Sequence, residues 1–267
     1  MIEFASANYS DVAKARLAYL KTLASPLDGM WEDAFFAGGQ HWHIKIGGDA
    51  VGYCGTNEQN ALLGFQVFDP HASEPCFQAC MDRFAFKQAF VSTVEPAYFS
   101  HCLDRQTSLK VNALMYEDDG TDAMPGQFSD GMEFRVVEQT EIETAIAFAL
   151  DAIGANRAWL EGYYAERIAK KELFGVWRGD EMIGAGELRV SPSQPGVADV
   201  GMIVAPVARK AGLATQILQQ LRHDGQKRGY RLVCSTEMEN VPAQKAIARA
   251  GFHSRHRILE MGLQGGS

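Results

Sequence analysis

The clearest pattern of apolar and polar positions lies between residues 200 and 222. Met202–Val204 is a short apolar and partly β-branched run, which is typical of a buried strand. Pro206 ends that strand, because proline cannot donate to a sheet ladder. Apolar side chains then recur at helical spacing at Leu213, Ile217, Leu218 and Leu221. The pattern predicts a strand, a short loop and a helix that buries one face.

The loop between this strand and this helix has the features of an anion site. It reads Arg-x-x-Gly-x-Ala, from Arg209 to Ala214. The first amides of a helix have no partner inside the helix, and the helix dipole adds partial positive charge there. Gly212 leaves the backbone open to a bulky group, and Lys210 adds formal charge. A diphosphate is therefore the predicted ligand.

Two common diphosphate motifs do not fit this loop. A P-loop needs a lysine after its last glycine, whereas Lys210 precedes Gly212. A dinucleotide fingerprint needs three spaced glycines, and only one is present.

Further along the chain, the pattern predicts a second strand over Tyr230–Thr236. Asn240 then predicts the N-cap of a helix that ends near Gly251-Phe252.

These segments together resemble two motifs of the GNAT acetyltransferase superfamily. The first is Gln/Arg-x-x-Gly-x-Gly/Ala after a strand ending in Val-x-Pro, and the second is Asn-x-x-Ala followed by Gly-Phe. The resemblance covers about Met132 to Leu263 and implies an acetyl-CoA-dependent N-acetyltransferase that acts on the primary amine of a small molecule. It implies that acetyl-CoA is held by Met202, Ile203, Val204, Arg209, Lys210, Ala211, Gly212, Leu213, Ala214, Thr215 and Asn240.

One position departs from the family. Family members often carry a tyrosine in the second helix, as the acid that protonates the departing CoA thiolate, and the matching residue here is Ile247. A second function therefore stays open, a catalytically silent acyl-CoA-binding protein with a regulatory or interaction role. The acceptor also stays open between an aminoglycoside, a polyamine, an amino acid and a protein N-terminus.

A carboxylate must remove a proton from the amine if the chain is an enzyme. Glu187 is the first candidate base, because it lies on the predicted strand Met182–Val190 beside the CoA strand. Asp199 and Glu237 are the alternatives.

Three residues are candidates for the general acid: Ser235, Cys234 and Tyr164. Side chains alternate along a strand, so only one of Ser235 and Cys234 can face the cleft. Tyr163-Tyr164, with Trp159 and Glu161, lie in the early helical region where members of the family usually contact substrate. For Trp159, four residues before Tyr163, we expect instead a buried helix face.

The chain contains an internal repeat of about half its length. Three pairs of segments correspond in order: 1–4 with 132–135, 44–52 with 176–184, and 91–93 with 234–236. Residues 117–126 are acidic and turn-rich. We therefore predict two tandem α/β domains, each with a mixed and largely antiparallel sheet. Their predicted bounds are 1–117 and 132–267, with a linker at 118–131.

The first copy is predicted to be degenerate. Phe65–Pro70 occupies the strand-then-proline position, but no glycine follows it. Glu74 would repel a diphosphate there. Acetyl-CoA is therefore expected in the second domain alone.

Composition limits the partners. Residues from Gly201 onward hold ten Lys and Arg against four Asp and Glu, whereas the earlier part holds 15 against 29. The acidic part disfavours nucleic acid and would tolerate a cationic amine. No apolar run approaches the ~20 residues of a membrane span. The five cysteines form no Cys-x-x-Cys, so we predict no metal site and a cytoplasmic location. A monomer is expected, with its two halves acting as a pseudo-dimer.

Overall fold

A computed structural model describes residues 1–264, and they form two compact units. The first unit contains Met1–Met115, Pro192–Pro195 and the residues from Ser254 onward, and the second contains Tyr116–Ser191 and Gly196–His253. The domain bounds predicted from the sequence, 1–117 and 132–267 with a linker at 118–131, stay a prediction.

The first unit is built from five strands, three α-helices and one π-helical segment of its own. In chain order these are β1 (Ile2–Ala7), α1 (Tyr9–Leu20), a π-helical segment (Met30–Phe36), β2 (Gln40–Ile46), β3 (Asp49–Thr56), β4 (Leu62–Val67), α2 (Pro70–Phe84), β5 (Gln88–Ser92) and α3 (Pro96–Asp104). The long strand β6 (Gln106–Asp118) begins in this unit and ends in the second.

The second unit repeats this plan. Its elements are β7 (Met132–Val136), α4 (Ile142–Ile153), α5 (Arg157–Ala169), β8 (Leu173–Arg178), β9 (Glu181–Val190), β10 (Val197–Val204), α6 (Leu213–Lys227), β11 (Arg231–Glu237) and α7 (Val241–Arg249). The last strand, β12 (Phe252–Leu263), begins here and continues into the first unit.

The two units have the same strand order. In the first it is β1-β2-β3-β4-β5, and in the second β7-β8-β9-β10-β11. Neighbours are antiparallel except for the last pair of each set, which is parallel and connected through a helix. The predicted fold class, a mixed α/β sheet in two tandem copies, is confirmed.

The first unit takes its next strand from the end of the chain. Strand β12 pairs antiparallel with β5, from Ile258 opposite Ser92 to Gly262 opposite Gln88. Four apolar side chains of β12 are buried in the core of the first unit: Ile258, Leu259, Met261 and Leu263.

The acidic segment predicted as a linker is bound to α6 of the second unit. Arg222 donates to the carboxylates of Asp118 (2.8 Å) and Asp119 (2.6 Å) and to the carbonyl of Thr121 (2.7 Å). Gln226 donates to the other carboxylate oxygen of Asp118 at 2.7 Å. These contacts hold the first residues of the acidic segment against α6, although no helix or strand forms between residues 119 and 131. No helix within residues 1–264 is long and apolar enough to cross a membrane.

Candidate functional site

A cleft opens in the second unit where β10 and β11 stop pairing. Their ladder runs from Val197 opposite Arg231 to Asp199 opposite Val233, although both strands continue further. On its other edge β10 stays paired with β9 as far as Val204. The last five residues of β10 therefore have one strand edge open towards the cleft.

The turn after β10 adopts the conformation that an anion site needs. Lys210 and Gly212 both have left-handed backbone angles, with φ of 67° and 82°. Gly212 is the N-cap of α6, and no side chain caps the helix there. A Cβ atom on Gly212 would meet nothing within 4 Å, so the backbone angle, and not packing, favours glycine here.

Three amides at the start of α6 are available to a ligand. Within residues 1–264, the amides of Gly212, Leu213 and Ala214 donate to no other atom. The amides at the two ends of the predicted motif already have acceptors. The Arg209 amide donates to the carbonyl of Pro206 (3.4 Å), and the Thr215 amide donates to the carbonyl of Gly212 (3.0 Å). The free amides thus lie inside the 209–215 segment expected from the sequence.

A cavity of about 510 Å³ lies against this turn. Its size falls within the range usual for ligand pockets, about 300–1,000 Å³. It is lined by ten of the eleven residues predicted to hold the cofactor, all except Ala211: Met202, Ile203, Val204, Arg209, Lys210, Gly212, Leu213, Ala214, Thr215 and Asn240. Helix α7 adds Lys245 and Arg249, which sequence reasoning missed although they are one helical turn apart.

The cavity wall is cationic. Four basic side chains line it, and no Asp or Glu within residues 1–264 does. Arg209 is partly committed, because it donates to the carbonyls of Val204 (3.2 Å) and Ala152 (2.7 Å). Lys210, Lys245 and Arg249 form no ion pair with any carboxylate in residues 1–264. These three cations are free to meet a phosphate group.

Helix α7 begins as predicted. The Asn240 side chain accepts from the amide of Ala243 at 3.3 Å, and Pro242 lies in the first turn. Ile247, at the position where the family often has tyrosine, is only 3% exposed and belongs to the core. It is not among the residues that line the cavity.

The candidate base Glu187 lies in a buried polar network on β9 and β10. It is 7% exposed and pairs across the sheet with Gly201. The Tyr163 hydroxyl and the Arg189 Nη1 each donate to Glu187 Oε2 at 2.5 Å. Arg189 Nη2 also contacts Asp199 Oδ1 at 2.9 Å. The structure therefore joins the first candidate base to one of its alternatives through a shared guanidinium.

The charges in this network are fixed by their surroundings. Burial alone would lower the pKa of Arg189, but Asp199 and Glu187 more than offset this and hold that pKa well above its ordinary value. Burial raises the pKa of Tyr163, and the charge of Glu187 raises it further although Arg189 opposes the rise. Arg189 therefore stays cationic and Tyr163 stays a neutral donor near pH 7.

Ser235 lies on β11, just beyond the point where that strand stops pairing with β10. It follows Val233, the last residue of β11 paired with β10, by two positions, so it projects from the same face of the sheet as Glu187. It is half-buried, whereas Cys234 is buried and Glu237 is exposed. Neither Ser235 nor Glu187 lines the cavity itself.

Helix α5 corrects one expectation. Trp159 was expected on a buried face but is 47% exposed. The buried face carries Leu160, Tyr164 and Ile168, which share the same four-residue spacing. Trp159 stacks on the ring of Tyr163, with centroids 4.5 Å apart and planes at 15°. The Tyr164 hydroxyl is buried and has no hydrogen-bond partner within residues 1–264.

The equivalent positions of the first unit are closed. Asp69 caps α2, because its side chain accepts from the His71 amide (2.9 Å) and its carbonyl accepts from Ala72 (3.0 Å). Strands β4 and β5 also part early, but the Tyr98 hydroxyl lies within hydrogen-bond distance of a carbonyl on each strand, Leu62 (2.9 Å) and Phe90 (3.2 Å). In the first unit, therefore, Asp69 uses the first amides of α2, and Tyr98 joins the two strands where the second unit has an open edge.

One cluster in the first unit has the contacts of a nucleophilic triad. His101 Nε2 lies 2.7 Å from the Ser73 hydroxyl, and His101 Nδ1 lies 2.8 Å from Glu74. Acyl transfer also needs amide donors for the developing oxyanion. The first amides of α2 are bonded to Asp69, so the cluster has none from that turn. We interpret it as a structural contact. No group of three or more metal-ligating side chains occurs in the described part of the chain.

Comparisons with known proteins agree with this geometry. Residues 8–119 match a family model described as an acetyltransferase (GNAT) domain, and residues 140–252 match the acetyltransferase (GNAT) family. An acetyltransferase from the GNAT family of Colwellia psychrerythraea is 33% identical, with a TM-score of 0.89 over 98% of this chain and 99% of that chain. A search of curated protein sequences gave no significant match.

More distant structures share the fold over the whole chain. A GCN5-related N-acetyltransferase from Sphaerobacter thermophilus is 15% identical, with a TM-score of 0.67 over 99% of this chain and 96% of that chain. A tandem GNAT protein from the clavulanic acid biosynthesis pathway is 12% identical, with a TM-score of 0.70 over 100% and 99%. At these identities the likeness shows the fold alone.

Proposed function

Because the chain belongs to the GNAT acetyltransferase family, we propose that it transfers an acetyl group from acetyl-CoA to the primary amine of a small molecule. The observation that carries the proposal is the start of α6. The free amides of Gly212, Leu213 and Ala214 lie at a cavity lined by basic residues and by no carboxylate. This combination suits a diphosphate.

Acetyl-CoA fits the cavity and the cleft together. In our proposal its diphosphate binds the three amides, and Lys210, Lys245 and Arg249 neutralise its phosphate groups. The rest of the molecule extends along the open edge of β10 between Met202 and Val204. A backbone amide on that edge would polarise the thioester carbonyl. Binding is proposed for the second unit alone.

Glu187 is the proposed base. Both of its protein contacts are made by Oε2, so Oε1 is available to take a proton, directly or through water. The ammonium of a primary amine, with a pKa near ~10.4, must lose that proton before its nitrogen can attack. The nitrogen then adds to the thioester carbon, the carbon–sulfur bond breaks, and the nitrogen loses its second proton, which the CoA thiolate can take up through Ser235 or water.

The departing CoA thiolate has less need of a general acid than the ammonium has of a base. A thiol has a pKa near ~8.5, so CoA can leave as a thiolate and be protonated afterwards by Ser235 or by water. Ile247 plays no part in this step, since its side chain is in the core. We further propose a cytoplasmic monomer, because all five cysteines are free and buried as a reducing compartment would allow.

A second candidate function is an acyl-CoA-binding protein without activity. Two observations favour it: the apolar residue at position 247 and the commitment of Glu187 to an ion pair. Both candidates bind CoA, so binding alone does not separate them.

Calorimetry with acetyl-CoA, followed by an assay for released CoA over a panel of amines, tests the proposal. We expect one equivalent of acetyl-CoA per chain and CoA release with at least one amine class. Glu187→Gln should lower kcat/KM steeply near pH 7 and less at alkaline pH, where free amine is abundant. Glu181→Gln, an exposed position on the same strand, is the matched control. Binding without release over the whole panel would favour the silent protein, and absence of binding would refute both.

A further inference from the structure

Three side chains of the second unit form a closed triangle of hydrogen bonds. The Tyr163 hydroxyl and Arg189 Nη1 both donate to Glu187 Oε2 at 2.5 Å, and Arg189 Nη1 also donates to the Tyr163 oxygen at 3.3 Å. The hydroxyl therefore accepts from the arginine and directs its own proton at the carboxylate. Glu187 Oε1 receives no hydrogen bond from residues 1–264. One oxygen of Glu187 is thus held twice, and the other is open.

We propose that Tyr163 is a positioning residue that keeps the second oxygen of Glu187 open to the amine. This inference rests on the proposed function. A carboxylate that faces a guanidinium alone favours contact through both of its oxygens, because they match the fork of N–H donors. Arg189 has donor capacity left for such a contact, since its Nε is buried and bonds to no atom in the described part of the chain. The Tyr163 hydroxyl holds Oε2 towards α5 and so opposes that rotation of the carboxylate.

The Tyr163 hydroxyl is suited to this role because its ring is itself fixed on α5. Trp159, one helical turn earlier, stacks on the ring with centroids 4.5 Å apart. The guanidinium of Arg167, one turn later, lies 5.4 Å from the ring centroid and is paired with Glu172 at 2.7 Å. Burial raises the pKa of Tyr163, so the phenol keeps the proton that it donates near pH 7.

The next residue of the same helix provides a matched control. Tyr164 is 1% exposed, and burial raises its pKa as it does that of Tyr163. Its hydroxyl, however, bonds to no group within residues 1–264, and the proposed function does not use it. Replacing either tyrosine by phenylalanine removes one buried phenolic oxygen and keeps the ring. Only the change at Tyr163 removes a hydrogen bond to Glu187.

The test compares Tyr163→Phe and Tyr164→Phe with the parent chain, each on the plateau of its own pH profile. We expect kcat to fall about tenfold in Tyr163→Phe, a part of the ~10²–10⁴-fold that a positioned base supplies. The KM for acetyl-CoA should not change, because Tyr163 is not among the residues that line the cavity. Tyr164→Phe should keep both values. An unchanged kcat in Tyr163→Phe, beside a lowered one in Glu187→Gln, overturns the inference.

A second measurement does not depend on activity. In a crystal structure of Tyr163→Phe, the Glu187 carboxylate should be turned so that both of its oxygens contact Arg189. A carboxylate that keeps its orientation, with or without a water in place of the hydroxyl, contradicts the proposal. Should Tyr163→Phe not fold, Trp159→Leu at an exposed position removes the ring on which Tyr163 stacks. It should lower kcat in the same direction, and an unchanged kcat there counts against the role of Tyr163.

The outcomes separate this inference from the proposed function. A rotated carboxylate in a chain that acetylates no amine supports the positioning role of Tyr163 and removes the enzymatic proposal. Activity that survives Glu187→Gln removes Glu187 as the base, and the use of its open oxygen falls with it. If Tyr164→Phe lowers kcat as much as Tyr163→Phe does, the effect is a general one of lost buried hydroxyls, and Tyr163 has no special role.

Discussion

The substitution Gly212→Glu tests the anion site most directly, because the position offers space. A Cβ atom there meets nothing within 4 Å, so the new side chain displaces no neighbour. The backbone angle of 82° is unfavourable for any residue except glycine, at about 1–2 kcal/mol. In a chain of this size, each kcal/mol of lost stability lowers the melting temperature by roughly 2–4 °C.

Gly212→Glu should weaken the binding of acetyl-CoA far more than it lowers the stability of the fold. The new carboxylate would lie at the three free amides, where the proposed diphosphate carries two negative charges. Two unit charges 4 Å apart repel by about 1 kcal/mol in water and about 4 kcal/mol at the effective dielectric of a protein surface. An intermediate value of about 3 kcal/mol predicts a fall in affinity of at least a hundredfold. Titration calorimetry measures this directly.

A matched variant separates charge repulsion from backbone strain. Gly179 lies in the turn between β8 and β9, has a φ of 58°, and would also meet nothing within 4 Å. Gly179→Glu therefore adds the same charge and the same strain away from the cavity. Both variants should lose similar stability, and only Gly212→Glu should lose affinity. Equal affinities in the two variants would refute the assignment of the α6 amides to acetyl-CoA.

Two further substitutions test Ile247 and the N-cap of α2. Ile247→Tyr should lower the free energy of unfolding by about 1–3 kcal/mol, because it overfills a buried site, and it should leave kcat/KM unchanged. Calorimetric melting and the CoA-release assay measure the two quantities, and a rise in kcat would show that a tyrosine there does reach the thiolate. Asp69→Ala should cost about 0.5–2 kcal/mol by uncapping α2. It should leave one equivalent of acetyl-CoA per chain, since Tyr98 still joins β4 to β5, and a second equivalent would contradict the closure of the first unit.

The sequence predicted the parts of the site that depend on local chemistry. Gly212 is the left-handed N-cap of α6, and the Asn240 side chain accepts from the amide three residues further on, so both features follow from local spacing. Lys245 and Arg249 were missed, although their four-residue spacing places them on one face of a helix. Trp159 was placed wrongly because two sets of residues in α5 share the same spacing, and only packing against the sheet selects Leu160 and its partners.

Contacts that depend on strand register could not be predicted from the sequence. Asp199 and Glu187 were separate candidates, and nothing local shows that they share Arg189. That contact exists because Asp199 lies opposite Arg189 in the β9–β10 ladder. Tyr98 is a similar case, since its hydroxyl joins carbonyls 28 positions apart in the sequence, those of Leu62 and Phe90. Such contacts follow from the topology of the sheet.

The pairing of β12 with β5 of the first unit has a consequence for folding during synthesis on the ribosome. The first unit cannot cover the edge of β5 until residues 258–262, which follow the whole second unit in the chain, have been synthesised. Until then it lacks four buried apolar side chains worth about 6–12 kcal/mol, as much as the whole stability of a typical domain. Domains normally fold as units from the N-terminus during translation. Here the first half must wait for the second, so nascent chains interrupted anywhere before residue 258 should be recognised as unfinished and degraded.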